Sequence, residues 1–223
     1  MTEFILASKS PRRQTLLRNL IDHFIVMEAD ISEFIQPGEI PADFVLRLAS
    51  EKALTAAKRI DQSTLEDVII IAADTIVLDG VEILGKPKDE EDAKNILEQL
   101  QGRNHQVLSG ITVYQREKDQ ILSKLVLTEV WMREYSEQEI QDYIDSGDPF
   151  DKAGAYAIQN DLFNPVQELK GCFANVMGMP LCHLSLILGE LNLEMNSSIA
   201  NHCQESIQYH CPAYLKILAG DTE

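Results

Sequence analysis

The stretch DVIIIAADTIVL, residues 67–78, decides the fold class of this chain. Residues 67–73 are a continuous apolar run, which is typical of a strand that is covered on both faces. Thr75 to Leu78 continue as strand, and Asp79-Gly80 then predicts a tight hairpin turn before a short second strand. A strand of this kind indicates an α/β protein.

Helices and strands alternate on both sides of this stretch. Further strands are predicted at residues 3–7, 23–28, 105–115 and 120–132. Helices are predicted from Ser10-Pro11, from Pro41 to about 62, over 89–101, from the capping box Ser136 to Glu139, and from Pro180. Residues 148–160 are interpreted as loop and strand, and the Pro180 helix as the last. This order predicts a mixed sheet.

Length and charge limit the class of function. The 223 residues suit one domain, and the formal net charge of −17 argues against binding to nucleic acid or to an anionic membrane. No apolar stretch reaches the ~20 residues that span a bilayer, and the N-terminus lacks the layout of a signal peptide. Four cysteines in 223 residues favour reduced thiols and a cytoplasmic location. Residues from about 195 are mixed and polar, and we interpret 195–223 as an extension of a domain that spans 1–194.

The segment from Ser8 to Arg13 is the first candidate site. It joins a predicted strand to a helix N-terminus, where backbone N–H groups favour phosphate. Arg12 and Arg13 add bidentate donors, although arginines in a first turn oppose the helix dipole and contribute little to the fold. The alternative is an ordinary capped helix with solvated arginines.

Asp74 is the second candidate. Its carboxylate directly follows the apolar run, and ligands of open α/β sheets bind at the carboxyl ends of strands. An acid there could hold a metal ion or take a proton from water. The alternative, that Asp74 only begins a turn, is weak because the strand continues after it.

Three further positions carry weaker signals. Lys52 falls in the apolar stripe of the helix from Pro41, where it needs a partner or a route to water. Lys86 lies between Gly85 and Pro87, so that a rigid loop presents one cation. In the segment DPFDKAGAYAIQ, residues 148–159, the Gln159 amide could read a base edge. The alternative for Lys52 is snorkelling at an edge of the core, that for Lys86 is a solvated loop lysine, and that for residues 148–159 is a polar β-bridge. Glu33 by itself is unremarkable.

Several long motifs together resemble the Maf family of nucleotide pyrophosphatases, over roughly residues 3–193. They occur in the order of the family: LASKSPRRQTLL (6–17), DISE (30–33), FVLRLASEKA (44–53), AADTIV (72–77), LGKPKDEEDAKNILEQLQGRNHQVLSG (84–110), YIDSGDPFDKAGAYAIQ (143–159) and NVMGMPL (175–181). Such a set in register is far more specific than any one of its motifs.

The resemblance implies an ITPase-like α/β fold, elongated, with a cleft between two lobes, and a homodimer. It implies hydrolysis of a nucleoside triphosphate between the α- and β-phosphates with Mg²⁺ or Mn²⁺, and Co²⁺ is a further candidate. The site residues that it implies are Asp74, Lys52 and Lys86 for catalysis, Ser8, Arg12, Arg13, Thr75, Lys152 and Gln159 for the substrate, and Glu33 with Asp74 for the metal.

The same resemblance favours dTTP and UTP as substrates, because Ala73-Asp74-Thr75 and Ile158-Gln159 are similar to that subgroup. The subgroup that acts on 7-methyl-GTP has SDQ at the first motif, and it stays an alternative. A nucleotide-binding regulator of septum formation and cell division with weak hydrolysis is another, although a pure binder has no need of Asp74.

The chain departs from the family pattern in three places. The family usually has GIQG at 157–160, Ser-Tyr at 172–173 and Gly-Leu-Pro at 178–180. We expect the loss of two glycines to stiffen or narrow the 157–160 loop, and we expect the tail after about 195 to be dispensable for the chemistry.

Overall fold

The chain folds around one seven-stranded mixed sheet, seen in a computed structural model that describes residues 2–60, 67–193 and 198–220. The strands are β1 (Glu3–Leu6), β2 (Ile25–Val26), β3 (Val68–Asp79), β4 (Glu82–Leu84), β5 (Asn104–Gln115), β6 (Gln120–Met132) and β7 (Val166–Lys170). Their order is β2-β1-β3-β5-β6-β7, with β4 on the edge of β3. β1 is parallel to β2 and β3, and the other pairs are antiparallel. The predicted α/β class with a mixed sheet is confirmed.

Eight α-helices of the described residues flank this sheet. They are α1 (Pro11–Leu17), α2 (Pro41–Arg59), α3 (Glu90–Leu100), α4 (Glu137–Asp145), α5 (Phe173–Val176), α6 (Leu181–Glu190), α7 (Ile199–Ile207) and α8 (Tyr214–Leu218). The capping box of α4 is present, with Ser136 and Glu139 each accepting from the backbone N–H of the other. In the described ranges, none of the helices has both the length and the apolar character that crossing a bilayer requires.

β3 covers the apolar run and its predicted continuation to Leu78, so Asp74 lies in the middle of the strand and not at its carboxyl end. β1 pairs with residues 68–71 on one side of β3, and β4 pairs with residues 77–79 on the same side. Between them, no described strand pairs with residues 72–76 on that side, while β5 pairs continuously with the other side. The strand whose carboxyl end lies beside this free edge is β1, because its pairing with β3 ends at residue 71. The expectation that ligands bind at the carboxyl ends of strands therefore applies to β1 and not to β3.

The two faces of β3 bury different clusters because side chains alternate along a strand. Ile69, Ile71 and Ala73 pack with α1 and α6 on one face. Residues 68, 70, 72, 76 and 78 pack on the opposite face, against α2. α2 also passes close to β5, since a Cβ on Gly110 would lie 2.5 Å from the Val45 carbonyl oxygen. By this alternation, Asp74 faces α2 and Thr75 faces α1.

Three expectations about local structure were wrong, and one strand was missed. The segment 148–160 contains two short 3₁₀ turns, Asp148–Asp151 and Ala153–Ala155, and no strand. The strand expected at 23–28 is only the two residues of β2. β7 was not predicted, because its residues are mostly exposed and lack an apolar face. α6 is not the last helix, since α7 and α8 follow it. The expected boundary at 194/195 lies outside the described residues.

The tail packs against the main core rather than standing apart as a polar extension. Ile199, Cys203 and Ile217 are buried in the same cluster as residues of α1 and α6. The Tyr209 ring stacks on the ring of Phe173, with 4.7 Å between centroids. Phe173 is one of the positions that depart from the family pattern, so part of that departure lies at the contact with the tail.

We expect a chain truncated at Asn196 to be less stable but still active. Loss of the buried Ile199 and Ile217 contacts should lower the free energy of unfolding by about 3 kcal/mol or more. Chemical denaturation of the full-length and truncated chains measures this difference. The kcat/KM of the folded truncated chain should stay within a few-fold, because none of residues 198–220, the described part of the tail, lines the cleft described below. Equal unfolding free energies would contradict the packing role of the tail.

Candidate active site

A cleft of about 830 Å³ opens at the free edge of β3. All ten residues that the sequence predicts for the site line it: Ser8, Arg12, Arg13, Glu33, Lys52, Asp74, Thr75, Lys86, Lys152 and Gln159. They come from the turn after β1, α1, the loop before α2, α2, β3, the loop after β4, and the segment after α4. The cleft thus reaches both faces of β3 at the point where neither β1 nor β4 covers its edge.

On the α2 face, one ammonium lies between two carboxylates. The Lys52 Nζ contacts Asp74 Oδ1 and lies 2.7 Å from Glu33 Oε1. Lys52 and Asp74 are buried, whereas about half of the Glu33 side chain is exposed, at 56%. Partial burial raises the pKa of Glu33, but the hydrogen bond and charge of Lys52, together with the charges of Lys86 and Arg13, bring that pKa below its usual value. Glu33 is therefore ionised at neutral pH.

On the α1 face, the Arg13 guanidinium is held by three uncharged acceptors. Its Nε donates to the Gly178 carbonyl at 3.0 Å, its Nη1 to Ser8 Oγ at 3.3 Å, and its Nη2 to Thr75 Oγ1 at 3.1 Å. Burial lowers the pKa of Arg13, and the nearby Asp74 carboxylate opposes that shift. A guanidinium oriented by neutral groups keeps its charge available for an anionic ligand.

Arg12, Lys152 and Asp151 form the far corner of the cleft. Arg12 Nη1 donates to Asp151 Oδ2 at 3.0 Å, and Asp151 Oδ1 lies beside Lys152 Nζ. Lys152 also donates to the carbonyl and the carboxylate of Asp148, at 2.7 Å for the carboxylate. Its ammonium is thus occupied by the 148–151 turn, so that in this structure Lys152 organises the loop rather than presenting a free cation.

The cleft carries positive charge although the chain is acidic. Among the described residues that line it, six are cationic, namely Lys9, Arg12, Arg13, Lys52, Lys86 and Lys152, and four are carboxylates, namely Glu28, Glu33, Asp74 and Asp151. The excess is two positive charges in a chain of net charge −17. Such a local concentration of cations against the global charge is typical of a site for a polyanion.

Two of the four carboxylates that line the cleft, Glu33 and Asp74, meet at one point and could serve as oxygen ligands to a metal. Glu33 and Asp74 already share one cation, the Lys52 ammonium. Nowhere in ranges 2–60, 67–193 and 198–220 do three His, Cys, Asp or Glu side chains converge as a metal cage. This donor set fits Mg²⁺ or Mn²⁺, because Mg²⁺ is commonly bound by one or two carboxylates together with substrate phosphates and water.

The sequence profile of the family described as Maf-like protein matches residues 3–191. This chain belongs to the Maf family. Three bacterial relatives, each named dTTP/UTP pyrophosphatase, illustrate the likeness. The protein of Citrifermentans bemidjiense is 45% identical over 82% of this chain and 92% of its own length. The protein of Geobacter sulfurreducens is 45% identical over 81% and 92%, and that of Clostridium botulinum is 45% identical over 83% and 97%.

The departure from the Maf pattern at 157–160 has a structural consequence. Neither Ala157 nor Asn160 has a positive φ, so the exchange of glycine at these positions causes no backbone strain. The Asn160 side chain donates to Asp148 Oδ2 at 3.0 Å and accepts from the Phe163 N–H at 2.8 Å. These bonds tie the Gln159 loop to the turn that holds Lys152, in line with the expected stiffening.

Four residues of the site escaped the sequence reasoning. Asp151 pairs with Arg12 and Lys152, and Gly178 holds Arg13 through its carbonyl. Ser109 bonds to the Thr75 hydroxyl, and the Asn175 carbonyl accepts from Ser109. All four lie in motifs shared with the Maf family, and the charge of Asp151 and the glycine at 178 were the available signals. The residue types of Ser109 and Asn175 gave no signal for this role, because the role depends on strand register and burial.

Proposed function

We propose that this Maf protein hydrolyses dTTP and UTP between the α- and β-phosphates, and that it releases the nucleoside monophosphate and pyrophosphate. The observation that carries the proposal is the convergence of Arg13, Lys52 and Lys86 on one cleft with the carboxylates of Glu33 and Asp74. Cations suit a triphosphate, whereas the acids serve a hydrolytic step and would only repel a ligand that is merely bound. The names of the bacterial relatives support the same reaction.

Each cation of the cleft has a distinct part in the proposed reaction. Arg13, fixed by three hydrogen bonds, binds phosphate oxygens by a bidentate contact. Lys86 is exposed on the cleft wall and adjusts to the leaving pyrophosphate. Lys52 keeps Asp74 and Glu33 together and neutralises the repulsion that a polyanion meets there. Asp74 orients the attacking water and accepts its proton, or it serves mainly as a metal ligand.

Glu33 and Asp74 would hold a divalent cation, Mg²⁺ or Mn²⁺, with Co²⁺ as a third candidate. When bound, such an ion polarises the phosphoryl group and offsets charge as the bond breaks. Because Glu33 is half exposed and sits on a loop, it can leave the Lys52 ammonium without disturbing the core. Asp74, on the buried strand, is the fixed member of the pair.

Arg12, Thr75 and Gln159 are proposed to set base choice more than rate. Gln159→Ala should flatten the preference among dTTP, UTP and CTP, since loss of a designed hydrogen bond costs about 1–3 kcal/mol when a buried group is left unpaired. Separate kcat/KM values for the three nucleotides measure this. If all three fall by one common factor, the Gln159 side chain is structural and does not read the base.

A nucleotide panel tests the function as a whole. Pyrophosphate release from canonical nucleotides, 7-methyl-GTP and modified pyrimidine nucleotides should be measured with Mg²⁺, Mn²⁺ and Co²⁺ in turn. The proposal expects dTTP and UTP to give the highest kcat/KM. A preference for 7-methyl-GTP would reassign the chain within the family, and binding without turnover under all three metals would favour a regulator.

We further propose a homodimer and a cytoplasmic location. The homodimer rests on the resemblance to the family, and analytical ultracentrifugation tests it. The cytoplasmic location is supported by the four cysteines, which are all free and buried, as suits a reducing compartment.

A further inference from the structure

We infer that Ser109 is a positioning residue that fixes Arg13 through the hydroxyl of Thr75. This inference deepens the proposed function, because it concerns how the same cleft holds a triphosphate. Ser109 lies on β5 directly opposite Thr75 of β3 in the strand register, and it is completely buried. It does not line the cleft, so it cannot touch a bound nucleotide directly.

The hydrogen bonds between these residues run in one direction. Ser109 Oγ donates to the Asn175 carbonyl at 3.3 Å, which uses its single proton. Either hydroxyl has the geometry to donate the 2.8 Å bond between Ser109 Oγ and Thr75 Oγ1, and with the Ser109 proton on the Asn175 carbonyl the donor is Thr75. The Thr75 oxygen is left as an acceptor, and Arg13 Nη2 donates to it at 3.1 Å. The bond to Ser109 therefore fixes the orientation in which the Thr75 hydroxyl accepts from Arg13.

The far end of this chain of hydrogen bonds is rigid. The Asn175 side chain is fully buried and donates to the Val107 carbonyl at 3.1 Å and to Thr128 Oγ1 at 3.0 Å. Asn175 thus joins α5 to β5 and β6. Because its backbone oxygen cannot move away from the sheet, the acceptor for Ser109 is fixed in place.

The same segment holds Arg13 a second time. Three residues after Asn175, the Gly178 carbonyl accepts from Arg13 Nε at 3.0 Å. A Cβ on Gly178 would lie 3.2 Å from both Arg13 Nε and Thr75 Oγ1, and its φ of +98° also favours glycine. The motif NVMGMPL has no direct role in the proposed reaction. Through the carbonyls of Asn175 and Gly178, it holds the Arg13 guanidinium in its orientation.

Ser109→Ala tests the inference against a matched control, Thr112→Val. Thr112 lies on the same strand, is equally buried, and bonds through its hydroxyl to Ser50 and Ser123 away from the cleft. Both variants remove one buried hydroxyl, so both should lower the thermal midpoint. Only Ser109→Ala should weaken the binding of inorganic tripolyphosphate, by about tenfold, with Thr112→Val staying within twofold of the wild type.

A double-mutant cycle with Arg13→Gln shows whether the effect passes through Arg13. In the Arg13→Gln background, Ser109→Ala should have no further effect on tripolyphosphate binding measured by calorimetry. A tenfold loss that persists there, or equal losses in Ser109→Ala and Thr112→Val, would overturn the inference. Because the probe is not a nucleotide and no turnover is needed, a chain that binds tripolyphosphate but does not hydrolyse dTTP contradicts the proposed function alone.

Discussion

Asp74→Asn is expected to fold like the wild-type chain and to lose turnover by about 10²–10⁴-fold, which corresponds to ~3–5 kcal/mol of barrier. The amide keeps the shape of the side chain on the α2 face of β3 but can neither accept the proton of a water molecule nor carry the charge. Lys52 still has Glu33 as a partner, so the buried ammonium is not left alone. The loss should appear in kcat, whereas nucleotide binding should survive or tighten, because one negative charge has gone.

A metal titration of Asp74→Asn separates two roles of the carboxylate. If Asp74 mainly holds the metal, added Mn²⁺ should restore part of the activity and the nucleotide should bind less tightly. If Asp74 acts on the attacking water, no metal concentration should restore turnover. A variant that keeps more than about a tenth of wild-type kcat at saturating metal would show that Asp74 does neither.

Lys52→Met is the variant with the second large effect, and it should damage both stability and activity. Without the ammonium, the buried Asp74 carboxylate has lost its close counter-charge, and removal of one partner of a buried pair typically costs about 3–5 kcal/mol. Activity should fall by about 10²-fold or more, because the polyanion then meets two carboxylates that Lys52 no longer neutralises. Denaturant unfolding and kcat/KM for dTTP measure the two effects.

Two controls isolate the Lys52–Asp74 pair. Lys58→Met makes the same exchange on an exposed position of α2, and it should change neither stability nor activity appreciably. The double variant Lys52→Met with Asp74→Asn removes both charges, so it should regain most of the lost stability while staying inactive. If the double variant is as unstable as Lys52→Met, the cost comes from packing rather than from an unpaired carboxylate.

The parts of the fold that could be predicted are those in which a local pattern decides the structure. The apolar run of β3, the hairpin at Asp79-Gly80, the long strands β5 and β6 and the capping box of α4 all carry their signal within a few residues. The pairing of β7 with β6 depends on distant residues and leaves little trace in a five-residue, largely exposed segment. Ile199, Cys203 and Ile207 lie at helical spacing and form an apolar stripe on α7. A helix of only nine residues gives too short a pattern to be recognised from the sequence.

The site could be predicted as a set of residues but not as a set of contacts. Lys52, Asp74 and Arg13 stand out in the sequence as charged residues within recognisable motifs, and all three line one cleft. The sequence does not show that Lys152 is already occupied by Asp148 and Asp151, because ion pairing depends on side-chain geometry. The support of Thr75 by Ser109 depends on a strand register across 34 residues, which no local spacing reveals.

The most direct test of the central claim is the identity of the products when the full-length chain hydrolyses dTTP, followed by phosphorus NMR. Cleavage between the α- and β-phosphates yields dTMP and pyrophosphate in equal amounts, and the Asp74→Asn protein should yield neither at a comparable rate. Accumulation of dTDP and orthophosphate would contradict the account, because the bond broken would then lie between the β- and γ-phosphates.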